Sequence, residues 1–429
     1  MQPRCVQKFT VEQDPSLLKQ KILLWCDQYS YCCFLDSHHY SNAEEEPRCL
    51  AAAGVRRIYV SEANPDLLLQ EAENCKDWLF GHFSYHSFHT YHGLPQPKLP
   101  NNSFAGTLLF CPETVIEITG NLLVISTLQP SAEPILNSIL QMDVASLHQP
   151  LPPVQFSADL EPDMYIKKVE ALLDHIRRGD CYEINFCQEF YAVPVTIPAL
   201  NTYVQLMEVS PNPFSCFYKN DGNYVLCASP ERFLQKRGKQ LLSQPIKGTI
   251  KRNTTNPEKD ELLQETLLNS AKNQSENIMV VDLVRNDLSR ICREGTVHVS
   301  ELLGLYTFPQ VHQLISTVEG ELLPGTTLLD ILKATFPMGS MTGAPKKRVM
   351  ELIDEYETVP RGIYSGSIGY ITPQKDFDWN VVIRSLVYQS SQEYLSYHVG
   401  GGITANSDPQ QEWEECQVKA KAIQSLWEK

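Results

Sequence analysis

The sequence predicts an α+β fold: large antiparallel β-sheets stacked face to face, with helices outside. Two observations carry this expectation. Short β-rich runs recur along the whole chain, and helical periodicity appears in separate blocks without the regular strand-helix rhythm of a doubly wound parallel sheet. The chain has 429 residues, 42% of them hydrophobic and 20% charged, which is enough to bury one large sheet-rich core or two to three average ones. No run of eighteen apolar residues occurs, and the first fifteen residues lack a basic-then-apolar leader, so the expected compartment is the cytoplasm, with no membrane partner. A net charge of −15 disfavours a nucleic-acid partner, and an anionic small substrate would need local positive charge inside a negative envelope. The thirteen cysteines include no Cys-x-x-Cys pair and read as reduced, buried small hydrophobes.

In chain order, residues 1–150 read as a mixed α/β lobe, with β-rich runs at 31–35, 55–60, 107–110 and 122–125 and a helical stretch at 65–78. The proline-rich segment Gln149-Pro150-Leu151-Pro152-Pro153 reads as a linker to a second region, 160–429, with the two forming one compact unit. There Met164, Ile166, Val169, Leu172, Leu173 and Ile176 recur at helical spacing, and Gly179 stands where a C-cap belongs. Strands are expected at 182–191, 215–218, 224–228 and 233–236, and helices at 258–284, 328–335 and 346–356. The last third alternates strands at 366–371, 379–387 and 394–399 with glycine-rich turns, and Ser407-Asp408-Pro409 starts a final helix.

Five places could carry chemistry. Gly400-Gly401-Gly402 would let the backbone approach a ligand closely, and on the helix that follows Glu412, Glu415 and Lys419 share one face. The plain alternative for that face is a solvated ion-pair ladder. Lys247, in Pro245-Ile246-Lys247-Gly248-Thr249, is a candidate nucleophile or base if burial lowers its pKa; Glu231, in Ser229-Pro230-Glu231-Arg232-Phe233, is a candidate general acid or a carboxylate paired with Arg232. Glu276 ends an apolar stripe, and with Glu412 and Glu415 it would make an oxygen-only ligand set of the kind that suits Mg²⁺. The small residues of 334–346 precede a proline-started helix, which is either an anion site or a tight turn. Arg384, in an apolar run, calls for a buried ion pair or a carboxylate ligand.

Taken together and in this order, from Tyr165 to the C-terminus, these segments resemble the chorismate-utilising enzymes: anthranilate synthase component I, aminodeoxychorismate synthase component I, isochorismate synthase and salicylate synthase. The resemblance implies stacked antiparallel sheets and a site between them for chorismate and Mg²⁺. Glu276 and Glu415 would be metal carboxylates, with Glu412 a direct or water-mediated ligand. Arg384 and Tyr364 would hold chorismate's carboxylates, and Gly248, Thr249, Thr342, Gly400, Gly401, Gly402 and Lys419 would line the remaining pocket. Lysine at position 247, where the anthranilate branch carries alanine, resembles the aminodeoxychorismate branch, as does Glu231. That implies nucleophilic Lys247, general acid Glu231 and ammonia as co-substrate.

Isochorismate synthase, anthranilate synthase component I and a catalytically inactive binding paralogue are the alternatives; the last would be marked by loss of the metal carboxylates, all of which are present. Gln313 stands where most of the family has histidine, with His312 one residue earlier. No Gly-x-Cys-x-Gly glutaminase turn is present, so ammonia is expected from a separate glutamine amidotransferase subunit or from solution. Ser37, with Pro213, Phe214 and Ser215, resembles the two halves of the family's tryptophan pocket.

Overall fold

Alternating burial along the strands is what assembles this chain: one face of each strand meets a second sheet and the other meets helices. The structure, a computed structural model, describes residues 3–38, 40, 48–62, 64–96 and 104–428. Its strands form two sheets, of twelve and ten strands. Every named strand pair is antiparallel, as the missing strand-helix rhythm predicts.

Both sheets draw strands from both halves of the sequence. Tyr31–Asp36 pairs with Phe214–Asn220 in the larger sheet, and Leu79–Phe83 pairs with Ser367–Ile371 in the smaller. Between the sheets lies an apolar layer that includes Cys33, Phe80, Phe110, Tyr218, Val225 and Ile368. The outer face of the larger sheet is covered by the helices Pro15–Asp27, Pro162–Arg178, Ala199–Val209 and Pro409–Gln424. The helices Asp66–Asn74, Ala271–Ser289 and Leu328–Thr335 cover the smaller. Adjacent Cys32 and Cys33 fall on opposite faces, one toward the helices and one toward the inter-sheet layer. All thirteen cysteines are free, and twelve are buried.

Several expected elements are corrected. The helix expected over 258–284 is two helices, Pro257–Leu268 and Ala271–Ser289, because the Ser270 side chain accepts the Asn273 N–H and starts a new first turn. The strand expected over 379–387 is also two. Phe377–Asn380 belongs to the smaller sheet and Ser385–Gln389 to the larger, and the chain crosses between sheets through Val381–Arg384. Arg384 is therefore not a strand residue; it sits at the crossover with φ +50°. Gly400, Gly401 and Gly402 form no turn either, since they continue the strand Tyr394–Thr404. The sequence pattern does not announce Ile246–Lys251 or Val311–Glu321, two paired strands on which part of the site is built.

Arg361 fastens this framework from inside. Its guanidinium donates to Glu357 at 2.6 and 2.8 Å, to the Asn185 and Met341 carbonyls at 2.7 Å each, and lies 4.6 Å from the Tyr85 ring centroid. Arg361→Leu should cost about 3–5 kcal/mol in urea unfolding, because it strands the buried Glu357 carboxylate. A loss below about 1 kcal/mol would mean that the pair is dispensable.

Candidate active site

The site begins where two strands meet. Tyr394–Thr404 pairs with Glu183–Ala192 so that Gly402 faces Asn185 and Thr404 faces Glu183. Gly402 is required by crowding, since a Cβ there would stand 2.9 Å from Glu183 Oε1 and 3.0 Å from Lys247 Nζ. Gly401 opens the adjoining space, where a Cβ would lie 3.2 Å from Glu412 Oε2. Lys247 arrives from the smaller sheet. The pairing of Ile246–Lys251 with Val311–Glu321 slips between Ile246 and Thr249, and Gly248 takes φ +93° at that slip. Lys247 Nζ donates to Glu183 Oε1 at 2.7 Å, while Glu183 Oε2 is buried without a partner. Glu183 carries no short-range signal in the sequence, for its partner lies 64 residues away.

Electrostatics correct one expectation. Burial pulls the Lys247 pKa down, but Glu183, Glu276 and Glu231 together outweigh it and leave it raised. The amine is therefore held as ammonium until a proton acceptor takes its proton. Glu231 behaves in the opposite way. Burial pushes it up to about 7, against the hydrogen bond from Ser340 and the charge of Lys247. Glu231 is thus a carboxyl able to hold its proton near neutrality, and it is not paired with Arg232, which donates to Asp378 at 3.0 Å through two nitrogens. Burial lowers the Arg384 pKa while the nearby Glu231 raises it, so the crossover arginine lies beside the same carboxyl.

The three acidic residues surround one ammonium, that of Lys272, but their carboxylate oxygens do not all lie within 4.8 Å of one another. Glu276 projects from Ala271–Ser289, and Glu412 and Glu415 from Pro409–Gln424. Glu276 and Glu412 are buried, whereas Glu415 leaves half of its side chain exposed. Lys272, which sequence reasoning missed, places its ammonium 3.2 Å from Glu412 Oε1 and 4.0 Å from Glu276 Oε1. A cation already stands between these carboxylates. Burial raises the pKa of Glu276, and its Oε1 is buried with no hydrogen bond. An orphaned carboxylate oxygen in an oxygen-only donor set fits a hard dication. Lys419 donates to the Gly400 carbonyl at 2.9 Å and lies 2.8 Å from Glu415, whose pKa it lowers.

Other expected residues have local duties. The Thr342 hydroxyl donates to the Met338 carbonyl at 3.0 Å, and the Tyr364 hydroxyl lies 3.6 Å from Cys187 Sγ. Both side chains are buried. The Tyr364 ring stacks on His398. Within 334–346, Ser340 serves Glu231, and Lys346 Nζ donates to Asp287 at 2.6 Å. Gln313 Nε2 donates to Thr249 Oγ1 at 3.2 Å, with its Oε1 buried and unpartnered. His312 turns away to Asp260 and Thr307, at 3.0 and 2.9 Å. Strand alternation thus puts glutamine, not histidine, on the Thr249 side.

A separate cavity of about 630 Å³ lies between the sheets. Ser37, Pro213, Phe214 and Ser215 all line it, with Ile246, the neighbour of Lys247, in another wall.

Residues 31–425 match the family described as chorismate binding enzyme. The chain belongs to that family. A probable chloroplastic aminodeoxychorismate synthase of Oryza sativa subsp. japonica is 42% identical over 271 residues, 62% of this chain and 30% of the rice protein. Aminodeoxychorismate synthase component 1 of Klebsiella aerogenes is 40% identical over 266 residues, 62% of this chain and 58% of that one. The chain thus spans under a third of the rice relative and just over half of the bacterial one. Anthranilate synthase component I of Streptococcus pneumoniae superimposes with a TM-score of 0.76 at 26% identity, covering 90% of this chain and 93% of that one. The family's stacked antiparallel architecture is the one found here. No helix among the described residues is long and apolar enough to cross a membrane.

Proposed function

We propose that this member of the chorismate binding enzymes aminates chorismate to 4-amino-4-deoxychorismate, using ammonia from a separate glutaminase subunit. The observation that carries the reading is Lys247 bound to Glu183 at 2.7 Å with its charge felt by a buried Glu231 carboxyl. The names of the rice and Klebsiella relatives agree with it. Chorismate is a dianion, and Arg384 and Lys419 provide local cations in a chain of net charge −15. Glu183 accepts the proton that Lys247 sheds as its amine adds at C2 of the ring. Glu231 gives its proton to the C4 hydroxyl, which leaves as water. Ammonia then attacks C4, the Lys247–C2 bond breaks, and the free amine is restored. Glu276, Glu412 and Glu415 would hold Mg²⁺, which when bound supplies positive charge to a substrate carboxylate.

The test is to incubate the protein with chorismate, Mg²⁺ and ammonium, and to identify the product before and after adding a lyase specific for aminodeoxychorismate. Isochorismate, anthranilate or salicylate as the main product would overturn the reading. Two variants probe its parts. Glu276→Gln should raise the Mg²⁺ concentration needed for half-maximal rate by about tenfold or more, because it removes one charge from the donor set; an unchanged requirement removes Glu276 from the metal. Glu183→Gln keeps the hydrogen-bonding shape but cannot take a proton. Its kcat should fall about 100-fold with KM little changed, and the loss should shrink as pH rises. A uniform loss at every pH would leave Glu183 only a structural role.

A further inference from the structure

Away from the acidic site, His86 and His89 sit three apart on the short 3₁₀ helix Tyr85–His92, where that spacing puts both rings on one face. Both are buried, and both turn toward Asp354 on the helix Lys346–Tyr356. His89 Nε2 lies 3.4 Å and His86 Nε2 3.9 Å from the same oxygen, Asp354 Oδ1. The donor atoms of the three residues all lie within 4.8 Å of one another.

These separations are long for hydrogen bonds, and the second is too long to be one. The edge of a ligand tetrahedron, for bonds of about 2.0–2.2 Å to a central ion, measures about 3.3–3.6 Å; the His89 separation matches it, and His86 would close in by about 0.3 Å. His89 Nε2 makes a long hydrogen bond to that same Asp354 oxygen, which an ion would displace, and Nδ1 of both rings is buried with no partner. The charge of Arg361 is answered by Glu357 at 2.6 Å. Asp354 is partly exposed, leaving a path for an ion and room for a water as fourth ligand.

We propose that His86, His89 and Asp354 form a binding site for a transition-metal dication of the Zn²⁺ class, distinct from the acidic cluster and joining the first lobe to the second region. Nitrogen ligands with one carboxylate favour such an ion over Mg²⁺. The site takes no part in the proposed amination, so its test is independent of that reading.

The full chain, with Mg²⁺ in excess, is titrated with Zn²⁺ by calorimetry and with Co²⁺ by visible absorption. The expected result is one tight equivalent of Zn²⁺ and the intense absorption of tetrahedral Co²⁺. Asp354→Asn and His89→Asn should each weaken Zn²⁺ at least about tenfold and abolish the cobalt spectrum, while Glu276→Gln should leave both unchanged. Asp354 lies on a helix surface, so its variant should remain folded, as circular dichroism would check. Equal Zn²⁺ affinity in wild type and Asp354→Asn would overturn the proposal, as would Zn²⁺ binding lost in Glu276→Gln alone. Either result would leave the three residues a packed cluster without an ion.

Discussion

Replacing Lys247 by alanine is expected to lower amination of chorismate by at least about a thousandfold, while far-ultraviolet circular dichroism stays close to wild type. The magnitude follows from removing the nucleophile itself: without it, ammonia must displace a hydroxyl directly, and the covalent step that divides the barrier is gone. The protein should still fold but with a lower thermal midpoint, because the variant leaves the buried Glu183 carboxylate without the ammonium at 2.7 Å. Exogenous primary amines of small size should restore part of the rate, since the vacated volume lies between Glu183 and Gly402. Mass spectrometry gives a complementary result. Wild-type protein with chorismate and no ammonia should carry an adduct on Lys247, and Lys247→Ala should not. Wild-type turnover in the variant, or an adduct that persists in it, would remove the lysine from the chemistry.

Replacing Glu231 by glutamine should have the second largest effect, a fall in kcat of about 100- to 10,000-fold, because the C4 hydroxyl then leaves without a proton donor. The pH dependence supplies the check. With Glu231 titrating near 7, the wild-type rate should decline above neutrality, about tenfold per pH unit once the group is mostly ionised, and Glu231→Gln should lose that limb.

Stability should change with the opposite sign. The folded-state pKa of Glu231 is raised from 4.5 to about 7, so the native state binds the proton more tightly than the unfolded chain does. Stability associated with this group is full below pH 4.5 and is lost as pH rises toward 7, by about 3 kcal/mol in total. Glu231→Gln should therefore raise the thermal midpoint at pH 8 relative to wild type and not at pH 4. A profile that matches wild type at both pH values would mean that Glu231 is not forced to ionise in the fold.

How much of this could be read from the chain depends on distance along it. The helix Pro162–Arg178, with its αL Gly179, follows from local periodicity and a local cap. The antiparallel architecture follows from the missing strand-helix rhythm. Glu412 and Glu415 could be grouped by spacing on one helix, and Glu276 joins them only through the family resemblance. Glu183 and Lys272 could not, since each acquires its meaning from a partner 64 or 140 residues away. The Lys247 pKa was misjudged for the same reason. Its apolar neighbours in sequence argue for a lowered value, but carboxylates from three other segments decide the sign. Arg384 reads as a strand residue because Val381-Val382-Ile383 precede it and Leu386-Val387 follow, and only the switch from one sheet to the other separates the two strands.

The sharing of both sheets between the two halves of the chain also governs how the protein must come off the ribosome. Leu79–Phe83 is wholly buried and finds one neighbour early, in Thr107–Cys111, but its other edge waits for Ser367–Ile371, nearly 300 residues later. Tyr31–Asp36 likewise waits for Phe214–Asn220. During synthesis both apolar edges stand open, and pairings this distant are slow to form and prone to association between chains. A fragment ending before Ser367 would keep such an edge permanently unmatched. The first lobe is thus a passenger until Ser367–Ile371 arrives, and chaperone demand should be greatest before that strand emerges.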